Sequence, residues 1–175
     1  HGCELPDMVA PLPKRFTVGY MGAYGADKGV IYLIAAWKKL AYPDATLVLA
    51  GRDSTSDYIK QLVQGMPGGG NIELRGWVDN VSDFYNYLSL YFQQSSTEGF
   101  GIEVLEAMTH GRPVACSMGA GAQDVVPESR RVPACDVDAL AYAIDKEKQA
   151  LSYYWNDGQK GQVQRAFRAE ADKYT

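Results

Sequence analysis

Two short apolar runs, Leu88-Ser89-Leu90-Tyr91-Phe92 and Val114-Ala115-Cys116, enclose a polar, glycine-containing segment, Ser95-Ser96-Thr97-Glu98-Gly99-Phe100-Gly101, and a helix-periodic one, Ile102 to Met108. The apolar runs have the length of buried strands, and the helical segment has the length of a crossover between parallel neighbours. A strand–loop–helix–strand unit of this kind confines the chain to a parallel sheet covered by helices on both faces. In such sheets ligands sit outside the carboxyl ends of the strands, on the loops that lead into helices. Residues 95–101 form such a loop.

The chemistry of the loop agrees with that position. Gly99 and Gly101 let the backbone approach a ligand without a Cβ in the way. The amides of Phe100, Gly101 and Ile102 are among the unpaired donors expected at the helix N-terminus, a ready anion site. Glu98 stands at the mouth and Glu106 about two turns further along. Two carboxylates that only accept hydrogen bonds, flanking amide donors, suit a ligand with hydroxyl groups and a phosphate. A nucleotide sugar has both.

Glu98-Gly99-Phe100-Gly101 with Leu105-Glu106-Ala107-Met108, followed by Gly111-Arg112-Pro113-Val114, resembles the signature of retaining glycosyltransferases of the GT-B fold, family 4. Two glutamates enclosing seven residues occur often by chance; the whole string is specific. The resemblance covers roughly residues 1–150 and implies a Rossmann-like, doubly wound parallel α/β sheet, the C-terminal, donor-binding half of a GT-B fold. The implied reaction is transfer of a hexosyl group from a nucleoside diphosphate sugar, with UDP or GDP as the carrier, to an acceptor hydroxyl in carbohydrate biosynthesis. Glu106 would hold the ribose hydroxyls, and Glu98 would lie by the donor sugar or the leaving phosphate. The amides of Phe100, Gly101 and Ile102 would bind sugar hydroxyls and phosphate. No metal or other cofactor is implied. The acceptor site would belong to an absent N-terminal domain, through which peripheral membrane association is allowed, and the isolated half would be inactive.

Residues 1–15 carry Pro6, Pro11 and Pro13 and read as a linker from that domain. A strand over 16–21 leads into the glycine-rich turn Gly22 to Gly29 and then a helix marked by Val30, Leu33, Ile34, Trp37 and Leu40. Lys28 therefore lies near a helix N-terminus, where cation and amides together hold phosphate. By itself it reads first as a surface lysine. The family carries an arginine and a lysine here for the donor diphosphate; Lys28 and Gly29 match, but Ala23 stands at the arginine position. That departure weakens diphosphate binding, is compensated by a residue such as Arg52, or marks lost activity.

Strands follow at 46–50 and 71–75, with Ser54 or Ser56 as the cap of a helix from about 57 to 64. Arg52 either meets a phosphate or is solvated at the rim. The Gly76-Trp77-Val78 turn lies beside the nucleotide base in the family, chiefly through backbone groups such as those of Val78. Trp77 either stacks on a base or, the favoured reading, packs. Tyr87 and Tyr91 read as core, and His110 as a helix C-cap favouring the macrodipole when protonated. A glycine loop at 117–122 precedes Gln123-Asp124-Val125-Val126, and Val132-Pro133 begins a last short strand. Asp136 or Asp138 caps a helix reaching Ala150, which closes a nucleotide-sugar-binding domain of residues 16–150. Residues 151–175 form a helical segment, with Tyr153, Tyr154, Trp155, Val163 and Phe167 on an apolar side read as an interface left without its partner.

The 175 residues, 46% hydrophobic and 22% charged, suffice for one domain with a core. A net charge of −4 argues against nucleic acid as a partner. Three cysteines without a CxxC or a nearby His cluster do not make a zinc site, and they fit a reducing, cytoplasmic compartment. Cys116 reads as a small core residue. No apolar run approaches the roughly 18 residues of a membrane span, and no signal peptide is visible. The rival reading is a non-catalytic nucleotide-binding or scaffolding domain of the same fold with a decayed site. A nucleotide-sugar epimerase lacks support, since no second set of acid and base residues is present.

Overall fold

The computed structural model describes residues 6, 9–64, 71–97, 101–156 and 160–174. Six strands, β1 (Thr17–Met21), β2 (Thr46–Ala50), β3 (Asn71–Gly76), β4 (Leu90–Gln93), β5 (Val114–Ser117) and β6 (Arg131–Val132), form one sheet in the order β3-β2-β1-β4-β5-β6. Every pairing is parallel. The chain runs outward from β1 to β3, returns to lay β4 beside β1, and runs outward again. The loops after β1 and β4 therefore diverge, and the crevice between them is where such sheets bind ligands.

The central strands β2, β4 and β5 are buried along their whole length because both faces are covered, whereas the edge strand β3, with Glu73 and Arg75, is only partly buried. Leu47 and Leu49 face one core with Leu90 and Phe92, while Val48, Ala50, Tyr91, Val114 and Cys116 face the other. On the first face lie α1 (Val30–Leu40) and α5 (Val137–Asn156), which pack together through residues such as Trp37, Leu140 and Ile144. On the second lie α3 (Val81–Asn86), α4 (Ile102–Thr109) and α6 (Lys160–Ala171). The short α2 (Asp57–Val63) starts at Ser56, whose hydroxyl accepts from the Ile59 amide at 3.4 Å. Asp136 opens α5, its Oδ1 accepting from the amides of Asp138 and Ala139 at 3.0 and 2.9 Å.

β1 to β5, α1, α2 and α4 lie where the sequence periodicity puts them, while β6 ends at Val132 instead of beginning there. Three further details differ. α5 does not stop near Ala150 but continues to Asn156, because Leu151 is still buried in the first core. The apolar side of the last helix is not an open interface: Val163, Phe167 and Ala171 are buried in the second core, and the Arg130 guanidinium lies 4.8 Å above the Phe167 ring. Tyr153 of that expected face is exposed, and the side chains of Tyr154 and Trp155 lie outside the described residues. Tyr91 is fully buried as expected, but Tyr87 is exposed, with the Arg75 guanidinium 4.1 Å above its ring. Cys116 is buried, and burial pushes its thiol up to about 11, so it is an unreactive core residue.

The carboxyl ends of β1, β2 and β3 are laced by backbone bonds. The Gly22 amide donates to Ala50 O at 3.2 Å, and the Gly51 amide to Gly76 O at 2.8 Å. Gly51 has φ +119°, and a Cβ there would lie 2.1 Å from Gly22 O. At the far end of α4, His110 donates from Nδ1 to Glu106 O at 2.7 Å, and its Nε2 accepts from the Ser82 hydroxyl at 3.0 Å. Burial holds its pKa below the ordinary value. His110 thus caps the helix as a neutral donor, not as the protonated partner of the helix dipole.

Two consequences are measurable. Gly51→Ala, which meets both the backbone clash and the strained φ, should lower the unfolding free energy in urea by on the order of 2–3 kcal/mol. His110 loses protons more readily folded than unfolded, so its contribution is complete above its unfolded pKa near 6.5 and shrinks as pH falls below it. The fall in stability between about pH 7 and 5 should be shallower in His110→Gln, measured by thermal unfolding across that range.

Candidate functional site

A cleft of about 560 Å³ opens at the laced ends of β1, β2 and β3. Its floor is the backbone that the glycines permit, Gly22 and Gly51, with Met21 and Ala23 beside them. One wall is the turn after β2, Arg52 and Asp53, with Trp77 and Val78 after β3. The opposite wall is one face of α4: Ile102, Glu103 and Glu106, at spacings that bring side chains together on a helix.

Glu106 is a firmly placed carboxylate of the cleft. The Tyr85 hydroxyl of α3 lies 2.9 Å from its Oε2 and 3.1 Å from the Glu103 carbonyl. Tyr85 is fully buried, and burial first, then the neighbouring Tyr91 and Glu106, raise its pKa well above the ordinary value. The phenol therefore keeps its proton and remains a donor. Its ring stands edge-on to Tyr91 at 5.6 Å, and the Tyr91 hydroxyl reaches Met21 O at 3.1 Å and Gln93 Oε1 at 2.6 Å. With His110 on its backbone carbonyl, Glu106 is held at both its main chain and its side chain. A carboxylate fixed in this way accepts hydrogen bonds from a bound hydroxyl pair with little reorganisation.

On the other wall, the Ser54 hydroxyl accepts from the Gly76 amide at 2.8 Å and ties the Arg52–Thr55 turn to the end of β3. The Arg52 guanidinium lies 5.7 Å from the Trp77 ring centroid, within cation–π range. Trp77 is 67% exposed, so it is not packed away as the favoured reading of the sequence had it. Ala23, at the position where a cation was expected, lines the same cleft as Arg52 and accepts from the Tyr20 hydroxyl at 2.6 Å through its carbonyl. Arg52 is the cation among the described lining residues.

Of the residues singled out in the sequence, Gly22, Arg52, Val78, Ile102 and Glu106 converge on the cleft. Gly101 is buried directly before α4 and has φ +72°, the left-handed conformation that glycine adopts freely. Glu98 and Phe100 lie outside the described residues. Lys28 does not line the cleft. It ends the turn Ala26–Lys28, with its ammonium 3.6 Å from Asp27 Oδ2. That turn is joined to the segment leading to Glu98: the Ser96 amide and hydroxyl both donate to Asp27 O, at 2.8 and 2.6 Å. The Ser95 amide in turn donates to the Ser117 hydroxyl at 2.8 Å, which ties the same segment to the end of β5. Asp53, Glu103 and Tyr85 were not singled out. The i, i+3 spacing of Glu103 and Glu106 was the available signal for one of them; the place of Tyr85 depends on how α3 packs on α4.

Among the described residues no three His, Cys, Asp or Glu side chains come together as a metal site, and no helix is long and apolar enough to cross a membrane.

The chain is 30% identical over 118 residues to the sulfoquinovosyl transferase SQD2 of Arabidopsis thaliana, covering 67% of this chain and 22% of that protein. It is 32% identical over 144 residues to the O-antigen chain mannosyltransferase B of Escherichia coli, covering 77% of this chain and 37% of that one. It thus spans between about a fifth and two fifths of the length of these relatives. Among solved structures, the catalytic domain of the cholesterol-α-glucosyltransferase of Helicobacter pylori superposes with a TM-score of 0.75 at 21% identity, over 93% of this chain and 100% of that one. HepE of Anabaena, in complex with UDP-glucose, superposes with a TM-score of 0.74 at 20% identity, over 91% of this chain and 44% of that one. These likenesses show a GT-B type of sheet, as the sequence signature implies. The family described as glycosyl transferases group 1 matches residues 15–147, and this chain belongs to it.

Proposed function

We propose that this chain is the donor-binding half of a retaining hexosyltransferase, which holds a nucleoside diphosphate sugar while the sugar moves to an acceptor hydroxyl. The observation that carries the reading is Glu106, a carboxylate fixed by Tyr85 and His110 on the wall of a cleft at the carboxyl end of a parallel sheet. In this reading Glu106 accepts from the two ribose hydroxyls. The base lies toward Val78 and Trp77, and Gly22 lets the backbone come close to the ligand. The diphosphate extends toward the N-terminus of α4, where Gly101 and Ile102 offer amides, and toward the turn that carries Lys28.

The chemistry asked of the protein is modest. The bond between the anomeric carbon and the diphosphate oxygen breaks, its electrons leave on the diphosphate, and the acceptor oxygen bonds to the same face of the sugar while its proton passes to the departing diphosphate. Charge accumulates on the leaving group, so amide dipoles and the Lys28 ammonium act on it more strongly as the bond breaks. Glu98 is assigned to the sugar or the leaving phosphate on the strength of the family signature alone. Arg52 supplies positive charge to the cleft in place of the residue that Ala23 replaces. The acceptor site is assigned to a further domain, in keeping with the share of its relatives that this chain spans.

A calorimetric series tests the reading. Glu106→Ala should weaken binding of the accepted nucleoside diphosphate at least about tenfold, since hydrogen bonds to a charged group contribute roughly 1.5–3 kcal/mol. Tyr85→Phe should weaken it less, about three- to tenfold, because it loosens the carboxylate without removing it. Affinity unchanged in Glu106→Ala, with circular dichroism confirming an intact fold, would sink the ribose assignment. This chain alone, given donor and acceptor, should show little or no sugar transfer by product chromatography, and turnover at the rate of a complete enzyme would contradict the division of labour.

A further inference from the structure

The cleft carries more negative charge than binding an anionic diphosphate would call for. Among its described lining residues, Asp53, Glu103 and Glu106 stand against the single guanidinium of Arg52. Glu106 is taken up by ribose in the reading above, on which this inference rests. Asp53 has no part in that reading. It follows Arg52 on the Arg52–Thr55 turn, exposed, on the wall that also carries Trp77 and Val78.

That wall has the parts of a base site. The indole is large, exposed and joined to the Arg52 guanidinium by a cation–π contact at 5.7 Å. The Ser54–Gly76 bond fixes the turn that holds Arg52 and Asp53 against the strand end from which Trp77 projects. Stacking on an indole is nearly blind to base identity, because every base has a π face. A carboxylate is not blind. It only accepts, with two oxygens side by side, and so matches an edge with two adjacent donors. Guanine has that edge in N1–H and its 2-amino group. The single N–H of uracil is flanked by two carbonyl oxygens, and the amino group of adenine stands beside a ring-nitrogen lone pair. Both would turn an acceptor toward Asp53.

We propose that Asp53 selects guanine, with Trp77 as the stacking platform, so that the nucleotide carried by this chain's donor is GDP. The likeness to HepE, solved with UDP-glucose, is one of fold at 20% identity and leaves the base open.

The test is calorimetric titration of the chain with GDP, UDP and ADP at one salt concentration. GDP should bind about tenfold or more tightly than either of the others, the discrimination of one good bidentate base contact. Asp53→Asn, on an exposed turn, should bring GDP to within about threefold of UDP, since an amide presents one acceptor where the carboxylate presents two. Trp77→Ala should weaken all three nucleotides alike. Tighter or equal binding of UDP or ADP, or a GDP preference that survives Asp53→Asn, would overturn the guanine assignment and leave the nucleotide reading standing. Binding of none of the three would overturn both.

Discussion

The joint on which the second half of the domain depends is the guanidinium of Arg112. It is fully buried, and the groups it meets are carbonyls: Nε donates to His110 O at 2.9 Å, Nη1 to Leu88 O at 3.1 Å, and Nη2 to Ala10 O. Burial lowers its pKa to about 10, so it stays charged at neutral pH. An isolated ion in such a place would cost several kcal/mol, and charge-assisted bonds to carbonyl dipoles offset that cost. The three acceptors belong to the exit of α4, the entry of β4 and the connector before β1. One side chain thus sets where the helix that carries Glu103 and Glu106 stands relative to the strands. Gln164 of α6 donates to the same Ala10 carbonyl at 2.7 Å, which brings the last helix into the joint.

From that joint the placement of the site follows in steps. α4 is fixed at its C-terminus by Arg112 and His110, and its buried face is the second core. Its opposite face must then line whatever lies above the strand ends, and at spacings of three and four residues that face carries Ile102, Glu103 and Glu106. On the other side of the sheet's reversal, Gly51 lets the β2 loop pass so close to Gly22 that only a bare Cα fits. The cleft is the gap between these two constraints. Neither constraint belongs to a ligand, so the shape of the cleft between them is set by the fold itself.

Much of this was legible in the sequence, for identifiable reasons. Strands buried on both faces write continuous apolar runs, and helices on a parallel sheet write a 3.6-residue period, so the elements could be read almost to their ends. Gly101 and Glu106 were readable because a loop entering a helix has a fixed relation to the sheet edge. Tyr85 was not, since nothing in its own segment separates a core tyrosine from one whose hydroxyl reaches across to a carboxylate of another helix. The last helix was misread for a related reason. Val163 and Phe167 write an apolar stripe, and a stripe alone does not say whether the surface covering it lies in the same domain. Gln94 shows the limit from the other direction. Both ends of its amide are buried with no hydrogen-bond partner among the described residues, one residue past the end of β4, and nothing in its own segment of sequence announces that.

The charge of the cleft sharpens what it means for Ala23 to stand where a cation was expected. A decayed site loses its constraints together: a carboxylate with no ligand drifts, its supporting phenol is free to become phenylalanine, and glycines held at positive φ are free to gain side chains. Here the Tyr85–Glu106 bond, the bare Cα of Gly51 and the left-handed Gly101 are all present. The change at Ala23 sits where Arg52, lining the same cleft, carries positive charge. With these described parts of the frame in place, the change at Ala23 is more economically a shift in where the cation stands than the loss of a site. If the cation has moved to the wall of the base, it is in a position to stack on Trp77 and to orient the nucleotide as well as to neutralise it, which couples recognition of the base to the charge of the cleft.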